Sequence, residues 1–417
     1  MMSKRVSQRG SSLQWKLKVT AYYLFFFFLL YNETIKIAGV SLSILWKFPI
    51  LIYIFFFVIK RKFKRPRFNK FAYGYGFVKL FNNGFINTTF TTISDFSRYI
   101  TFPFLYDFIS YKIRDSKFIC KLLFHVSQFT VLSFIPFILG LLHSKKELDL
   151  AESALEMQEV AGRTSGIFNS PHAASAILAL CIVFLIYYLL QISAKREKYY
   201  VMTLIAIGCW AIILTYARGG WVMLLVGTFI VLARKSPRFI VICAVMASCL
   251  FVGVSYLMQH NEYFYNRITD RNEQGVKNSS ARVGSGRLWF AANGIEFWTE
   301  SSNIQEYITG QGILNLMEYQ KKKTGLYIYC HNGYIDALAQ NGIIGFYCMM
   351  GFTVCMFVFV YKNKRYKHRK FCISIIVMYI TFQALQGGAA PYSDFFYALV
   401  LHLSRLEQVK VSLNKIH

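Results

Sequence analysis

Residues 48–70 read "FPILIYIFFFVIKRKFKRPRFNK": a twelve-residue apolar run passes straight into a block in which seven of eleven positions are Lys or Arg. With "VTAYYLFFFFLLY" at 19–31, it marks the chain as a polytopic membrane protein, because runs this apolar need a bilayer or a large core to cover them. Composition agrees. Of 417 residues, 55% are hydrophobic, 18% aromatic and only 16% charged, against about 25% charged in a soluble domain.

The basic block raises a second question, since a net charge of +27 would suggest nucleic acid in a soluble chain. Position answers it. Seven short segments (1–18, 60–70, 112–121, 195–198, 234–238, 362–370 and 405–415) hold 31 of the 47 Lys and Arg, against three acids. The intervening polar stretches 32–36, 143–171, 217–220, 259–332 and 387–394 hold 13 Lys and Arg against 14 acids. By the positive-inside rule the first set is cytoplasmic and the second faces outward. A nucleic-acid surface would gather the cations, with aromatics among them, on one face of a folded domain, so no nucleic-acid partner is expected.

Alternating the two kinds of segment gives an all-α protein of about twelve spans with both termini inside. They are expected near 19–31, 41–59, 71–92, 96–111, 118–142, 172–193, 199–216, 219–233, 239–258, 333–361, 371–386 and 393–404. The third and fourth carry Lys79, Arg98 and Asp107 within them or at their ends, and the twelfth is barely long enough. The run after Lys18 has basic flanks but no small-residue cleavage site, and so reads as a signal-anchor span. Of nine cysteines only Cys330 lies in an outward segment, which leaves no disulfide framework there.

The whole chain, 1–417, is expected to form one integral-membrane domain with two sizeable outward segments. Residues 143–171 place Leu148, Ala151, Leu155 and Met157 on one side of a helical spacing. Residues 259–332 form the large loop between the ninth and tenth spans. Its "SGRLWFAANGIEFW" (285–298) predicts a helix against the membrane surface. A transporter has little use for so large an external loop, whereas an enzyme acting on a membrane-bound substrate does.

The outward segments also hold the residues suited to chemistry. Arg218, in "TYARGGWVML" (215–224), sits at the hydrocarbon boundary, where an arginine either snorkels or pairs with an anion. Arg163, in "AGRTSGIFNSPHAAS" (161–175), lies in a loop shaped by Gly162, Gly166 and Pro171. Arg282 and Arg287 flank a Gly-Ser-Gly, and Arg287 opens a helix whose free N–H groups also favour an anion. His331 opens the tenth span and is the side chain best tuned to accept a proton near neutral pH. Each alone could be a solvated or interfacial group. Together they suit a single reaction, in which arginines clamp a diphosphate leaving group while the histidine deprotonates an attacking hydroxyl. No metal is required if arginines carry the leaving-group charge, and no cofactor is expected. Glu147 and Asp149 are the closely spaced outward acids, but a spacing of two turns them apart on a helix. The sixth to ninth spans carry no Asp, Glu, Lys or Arg within their apolar runs, which disfavours a proton-coupled carrier; Lys121 and His125 in the fifth are its main candidates.

These motifs resemble those of the bacterial O-antigen ligases, whose superfamily includes the O-antigen and exopolysaccharide polymerases. His331-Asn332, nine residues and then Gly342-Ile-Ile-Gly345 is similar to the His-Asn…Gly-x-x-Gly signature. "ARGGW" (217–221) resembles the Arg-Gly-x-Trp turn, 285–298 the Gly-Arg…Trp segment, and "GRTSGIFNSPHAAS" the Arg-x-x-Gly-x-Phe-x-x-Pro loop. All occur in the expected order over about 160–350, while the first 140 residues match only as spans. One departure is Cys330, directly before the histidine.

The resemblance implies an inverting, metal-independent glycosyltransferase in the bacterial inner membrane with a periplasmic active site. Its donor would be a glycan on undecaprenyl diphosphate. Arg218 and Arg287 would bind the diphosphate, His331 would activate the acceptor hydroxyl, Arg163 and Arg282 would line the same cavity, and Asn332 would orient His331 or the acceptor. The acceptor would be lipid A-core for a ligase of lipopolysaccharide assembly, or a second lipid-linked repeat unit for a polymerase. The single dominant outer loop and the 331–345 stretch favour the ligase. A flippase for lipid-linked oligosaccharide would face the same donor but should show paired halves, which the sequence lacks.

Overall fold

A computed structural model describes residues 65–86, 89–142, 164–168, 170–233, 287–362, 366–387 and 391–413, with isolated positions before 65 and near 256. These residues are almost wholly helical. The exception is a short antiparallel ladder of β1 (Lys36–Ile37) and β2 (Val40–Ser41). The helices are α1 (Arg67–Ile86), α2 (Thr89–Lys112), α3 (Ser116–Leu132), α4 (Ile135–Ile138), α5 (Pro171–Leu189), α6 (Lys195–Leu214), α7 (Arg218–Leu232), α8 (Arg287–Thr299), α9 (Ile304–Thr309), α10 (Gly312–Thr324), α11 (Gly333–Tyr361), α12 (Arg369–Leu385) and α13 (Pro391–Leu413).

Four of the described helical stretches are long and apolar enough to cross a bilayer: Ser116–Ile138, Pro171–Leu189, Lys195–Leu214 and Gly333–Tyr361, with Arg218–Leu232 a shorter apolar helix. They correspond to the fifth to eighth and tenth expected spans. The third, fourth, eleventh and twelfth expected spans overlap α1, α2, α12 and α13, but α1 ends at Ile86 and α2 starts at Thr89, inside the expected 71–92, and α13 runs on to Leu413 rather than stopping near 404. The expected spans 19–31, 41–59 and 239–258 fall almost entirely outside the described residues, as does the amphipathic stretch expected after 143.

The bundle is built around α5. Its sequence is apolar on all faces, and a helix of that kind must be covered on all faces. Ser170 caps it, its hydroxyl accepting from the Ala173 amide, and Pro171 opens the first turn, where a missing N–H costs nothing. Helices α3, α6 and α7 pack around α5, and α12 covers the other side of α7. Small residues set these distances: Gly208 of α6 lies against Ile182, and Gly227 of α7 fits between Val183 and Met378. A second layer of α1, α2 and α11 joins through α12 and α13.

One end of the bundle carries described residues of two basic segments, Arg65 of 60–70 and His368 and Lys370 of 362–370. Buried Asp107 accepts from Arg65 at 2.7 Å, Asn69 at 2.7 Å and Tyr73 at 2.9 Å, which ties α1 to α2. Tyr187 bonds His368 at 2.5 Å, and Lys370 donates to the Ala233 carbonyl at 2.7 Å. Helix α12 starts here, and its 17 residues carry the chain about 25 Å to the opposite end.

Between 287 and 332 the loop expected to face outward is mostly helical. Helix α8 forms over the apolar-aromatic run as the sequence predicts, but its buried face, with Phe290, Asn293, Gly294 and Phe297, rests on protein, against α10 and α11. Gly294 is required there, because a methyl group on it would run into the Cys330 sulfur.

Candidate functional site

At the far end of α12 the chain must stop being helical and leave its last carbonyls without helical partners. Leu385 ends the helix, Gln386 caps it, and Gly387 takes φ +66°, a left-handed turn open to glycine. The carbonyls freed in this way are taken by side chains from two other parts of the chain. Ala384 O accepts from Asn332 Nδ2 at 3.0 Å, and Leu385 O accepts from Arg287 Nη1 at 2.8 Å. A guanidinium at a helix C-terminus meets the negative end of the helix dipole, so Arg287 is favoured there by charge as well as by its hydrogen bond.

The same helix end seats the start of α11. A methyl group on Gly333 would collide with Gln383 Oε1, and one on Gly387 would meet the Gly333 nitrogen at 2.7 Å. Asn332 caps α11, its Oδ1 accepting from the amides of Tyr334 at 3.1 Å and Ile335 at 3.2 Å. One Asn side chain therefore starts one helix with its oxygen and closes another with its nitrogen.

Arg218 arrives from a third direction. It opens α7, whose Gly219 lies against Gln386 (a methyl group there would be 2.7 Å from Nε2) and whose Gly220 lies against Ser175 of α5. The preceding turn is closed by Trp221, which donates from Nε1 to Ile212 O at 3.1 Å. Gln386 Nε2 bonds His172 Nδ1 at 2.8 Å, so α5 also reaches the cluster. Thr164 donates from its amide to Leu214 O at 3.1 Å, and Gly166, at φ +55°, lies against Phe134. That anchors the Arg-x-x-Gly-x-Phe loop next to the turn that carries Arg218. Arg163 and Arg282 themselves lie outside the described residues.

His331 lies between Cys330, which is buried, and Asn332. Its ring faces Tyr329 at 4.7 Å and Phe290 at 6.1 Å between centroids. Burial, and then the charge of Arg287, push its imidazole down to about 4, so it is held neutral. Burial raises the neighbouring Cys330 thiol, reinforced by the charge of Asp336, which keeps that cysteine unreactive. Two non-glycine residues among those described have left-handed backbone, Tyr216 at φ 52° and His331 at φ 55°. Both belong to this cluster. Strain of that kind persists where the surroundings over-determine it, and it concentrates at functional sites.

The sequence-derived residues Arg218, Arg287, His331 and Asn332 are thus gathered around the end of α12. What the sequence alone does not reveal is the seat itself, Gln383–Gly387, and His172. The Gln-Gly-Gly that follows an apolar run is a visible helix-stop signal, yet by composition the stretch 387–394 is only an outward turn. Among the described residues no three His, Cys, Asp or Glu side chains gather as a metal-ligand set, and the cationic groups of the cluster are its arginines.

The Gly-x-x-Gly spacing of Gly342 and Gly345 suggests close packing of the tenth span against a neighbour, and the structure adds a break in the helix at that point. Gly342 has φ 61° and ψ −161°, so α11 breaks there into two helical pieces. The end of α9 occupies the break: Ile308 O lies where a Gly342 side chain would begin, and Gly310 packs in turn on Gln340 and Asn341.

No curated protein matches the chain. A family model described as O-antigen ligase matches residues 202–350, a stretch that contains Arg218, Arg287, His331, Asn332 and the Gly342 break. That match supports, for this part of the chain, membership of the O-antigen ligase/polymerase superfamily that its motifs resemble.

Proposed function

We propose that this protein is a glycosyltransferase that moves a glycan from undecaprenyl diphosphate to an acceptor hydroxyl at the outer face of the bacterial inner membrane. The preferred acceptor is lipid A-core, which makes it an O-antigen ligase of lipopolysaccharide assembly. The observation that carries the reading is the meeting of Arg287 and His331 at the end of α12, where the arginine is anchored by Leu385 O and the histidine is held neutral.

The chemistry follows from those groups. The acceptor oxygen attacks the anomeric carbon from the face opposite the diphosphate, and His331 takes the hydroxyl proton. The anomeric C–O bond breaks with its electron pair going to the diphosphate, whose growing charge Arg218 and Arg287 offset. A neutral imidazole is ready to accept at once, and the arriving diphosphate, by offsetting Arg287, would raise its basicity during the reaction. Arg163 and Arg282 are proposed to line the same cavity, and Asn332 to fix the turn that presents His331. On this reading residues 1–417 act as one integral-membrane domain with both termini cytoplasmic.

The test is purified protein with undecaprenyl-diphosphate repeat units, with and without lipid A-core, its products resolved by size. One glycan chain attached per lipid A-core, and no product without that acceptor, is the expected outcome. A ladder of longer lipid-linked chains in the absence of lipid A-core would make the protein a polymerase. No transfer in either arm would overturn the glycosyltransferase reading.

A further inference from the structure

His331 is held in its left-handed turn by two clamps, one on each side. On the C-terminal side, Asn332 caps α11 and bonds Ala384 O. On the N-terminal side, the amide of Cys330 donates to Asp336 Oδ1 at 3.0 Å, so a carboxylate in the first turns of α11 reaches back over His331. Asp336 is buried, and a buried carboxylate requires donors and an opposite charge. Both come through Gln340, one turn further along α11. Gln340 donates from Nε2 to Asp336 Oδ1 at 3.4 Å, and its Oε1 accepts from Lys79 of α1. Lys79 is itself buried, lies over the ring of Tyr99 at 5.2 Å, and acts electrostatically on Asp336. Asn82, one helical turn on from Lys79, donates to Thr309 O and, at 3.3 Å, to Gln340 O, which bridges α1 to α9 at the break in α11.

We infer that Asp336 is a positioning residue for His331, and that the buried chain Lys79–Gln340–Asp336 carries the support of α1 to the turn that presents the imidazole. The inference rests on the reading of His331 as the base. It gives a role to a lysine in a helix outside the motif-bearing stretch, where such a charge would otherwise only weaken a span.

The test compares Asp336→Leu with Asp336→Asn and His331→Ala in purified protein, with undecaprenyl-diphosphate repeat units and lipid A-core as substrates. Asp336→Leu should lower kcat about 10²-fold, the effect of misplacing a reacting group by an ångström, with the donor KM unchanged. Asp336→Asn keeps an oxygen for the Cys330 amide and should regain most of the rate. Should Asp336→Leu not survive extraction, Gln340→Met, which cuts the link to Lys79 at similar volume, should lower kcat about tenfold, again with KM unchanged. Normal turnover in Asp336→Leu, a loss confined to KM, or no recovery in Asp336→Asn would overturn the inference. An inert His331→Ala beside a normal Asp336→Leu fails this inference alone, whereas an active His331→Ala fails the assignment of the base.

Discussion

His331 combines three properties that seldom meet in one histidine: a left-handed backbone, a mostly buried ring and a nearby guanidinium. Burial and Arg287 both lower its proton affinity, so protonation needs a pH near 4 rather than the ordinary 6.5. The neutral form is the one that can accept a proton. The expected kcat/KM therefore holds level as pH falls through 6.5 and drops only on approach to about 4. A half-maximal point at 6.5 would mean that the ring is solvated and that the geometry is wrong. Replacing the imidazole by His331→Ala should cost about 10²- to 10⁴-fold in kcat in a protein that still extracts as a single species. Arg287→Lys tests the arginine in a different way. A lysine could reach Leu385 O or the diphosphate, but its single ammonium cannot fork between them. The expected loss is about 10²-fold in kcat/KM, measured by product formation at limiting donor. These residues are legible in the sequence because each stands in a short motif with Gly, Asn or Trp at fixed offsets. Their common seat is not. Arg287 and Leu385 are 98 positions apart, and a backbone carbonyl that accepts a hydrogen bond has no signature in the letters.

Helix α11 looks like one 29-residue span by composition, with an unbroken apolar run after Gly342 and only Asp336, Gln340 and Asn341 interrupting its first half. The break at Gly342 depends on a backbone state, φ 61° with ψ −161°, that belongs almost wholly to glycine. Sequence shows the glycine but not its dihedral angles, so a Gly-x-x-Gly step reads equally as close helix packing. Gly342→Ala distinguishes the two. Simple helix packing would tolerate a methyl group with a modest shift, whereas the broken helix forces alanine into a strained conformation against Ile308 O. The expected destabilisation is about 1–3 kcal/mol from the backbone alone. It should appear as a lower thermal midpoint in detergent, with turnover lost in parallel. Gly345→Ala is a less direct comparison, because Gly345 is pressed by the Asn341 side chain of its own helix. Helix α13 shows the opposite error. Its 23 residues extend well past the expected span 393–404, because Arg405, Glu407 and Lys410 look like a loop beyond the span yet continue its helix.

Across the described bundle, residues of two basic segments, 60–70 and 362–370, lie at one end, and the arginine-bearing cluster lies at the other. Arg65, Tyr187, His368 and Lys370 bond at one end, and the cluster around Gln386 forms at the other. The positive-inside rule gives these ends opposite sides of the membrane. Two single cysteines in a cysteine-free background check it: Lys195→Cys at the start of α6 and Lys322→Cys in α10, both at exposed positions. A membrane-impermeant maleimide applied to spheroplasts should label the second and reach the first only after lysis. The reverse order would put the cluster on the cytoplasmic side and remove the proposed acceptor. The helical architecture can be inferred from hydropathy because burial in lipid or in protein demands the same apolar composition. The placement of α1 against α11 through Lys79 and Gln340 cannot, because a buried lysine reads as a flaw in a span until its partner is known.

The seat at Gln383–Gly387 also has a consequence for the order of synthesis. A ribosome makes the motifs at 218, 287 and 331 well before it reaches 385, so every reactive group exists in the nascent chain while the backbone that gathers them does not. Arg287 has no Leu385 carbonyl to hold it, Asn332 has no Ala384, and Gly219 has no Gln386 to rest on. The proposed site therefore stays incomplete until residues 383–387 have been made and have folded against the groups that precede them.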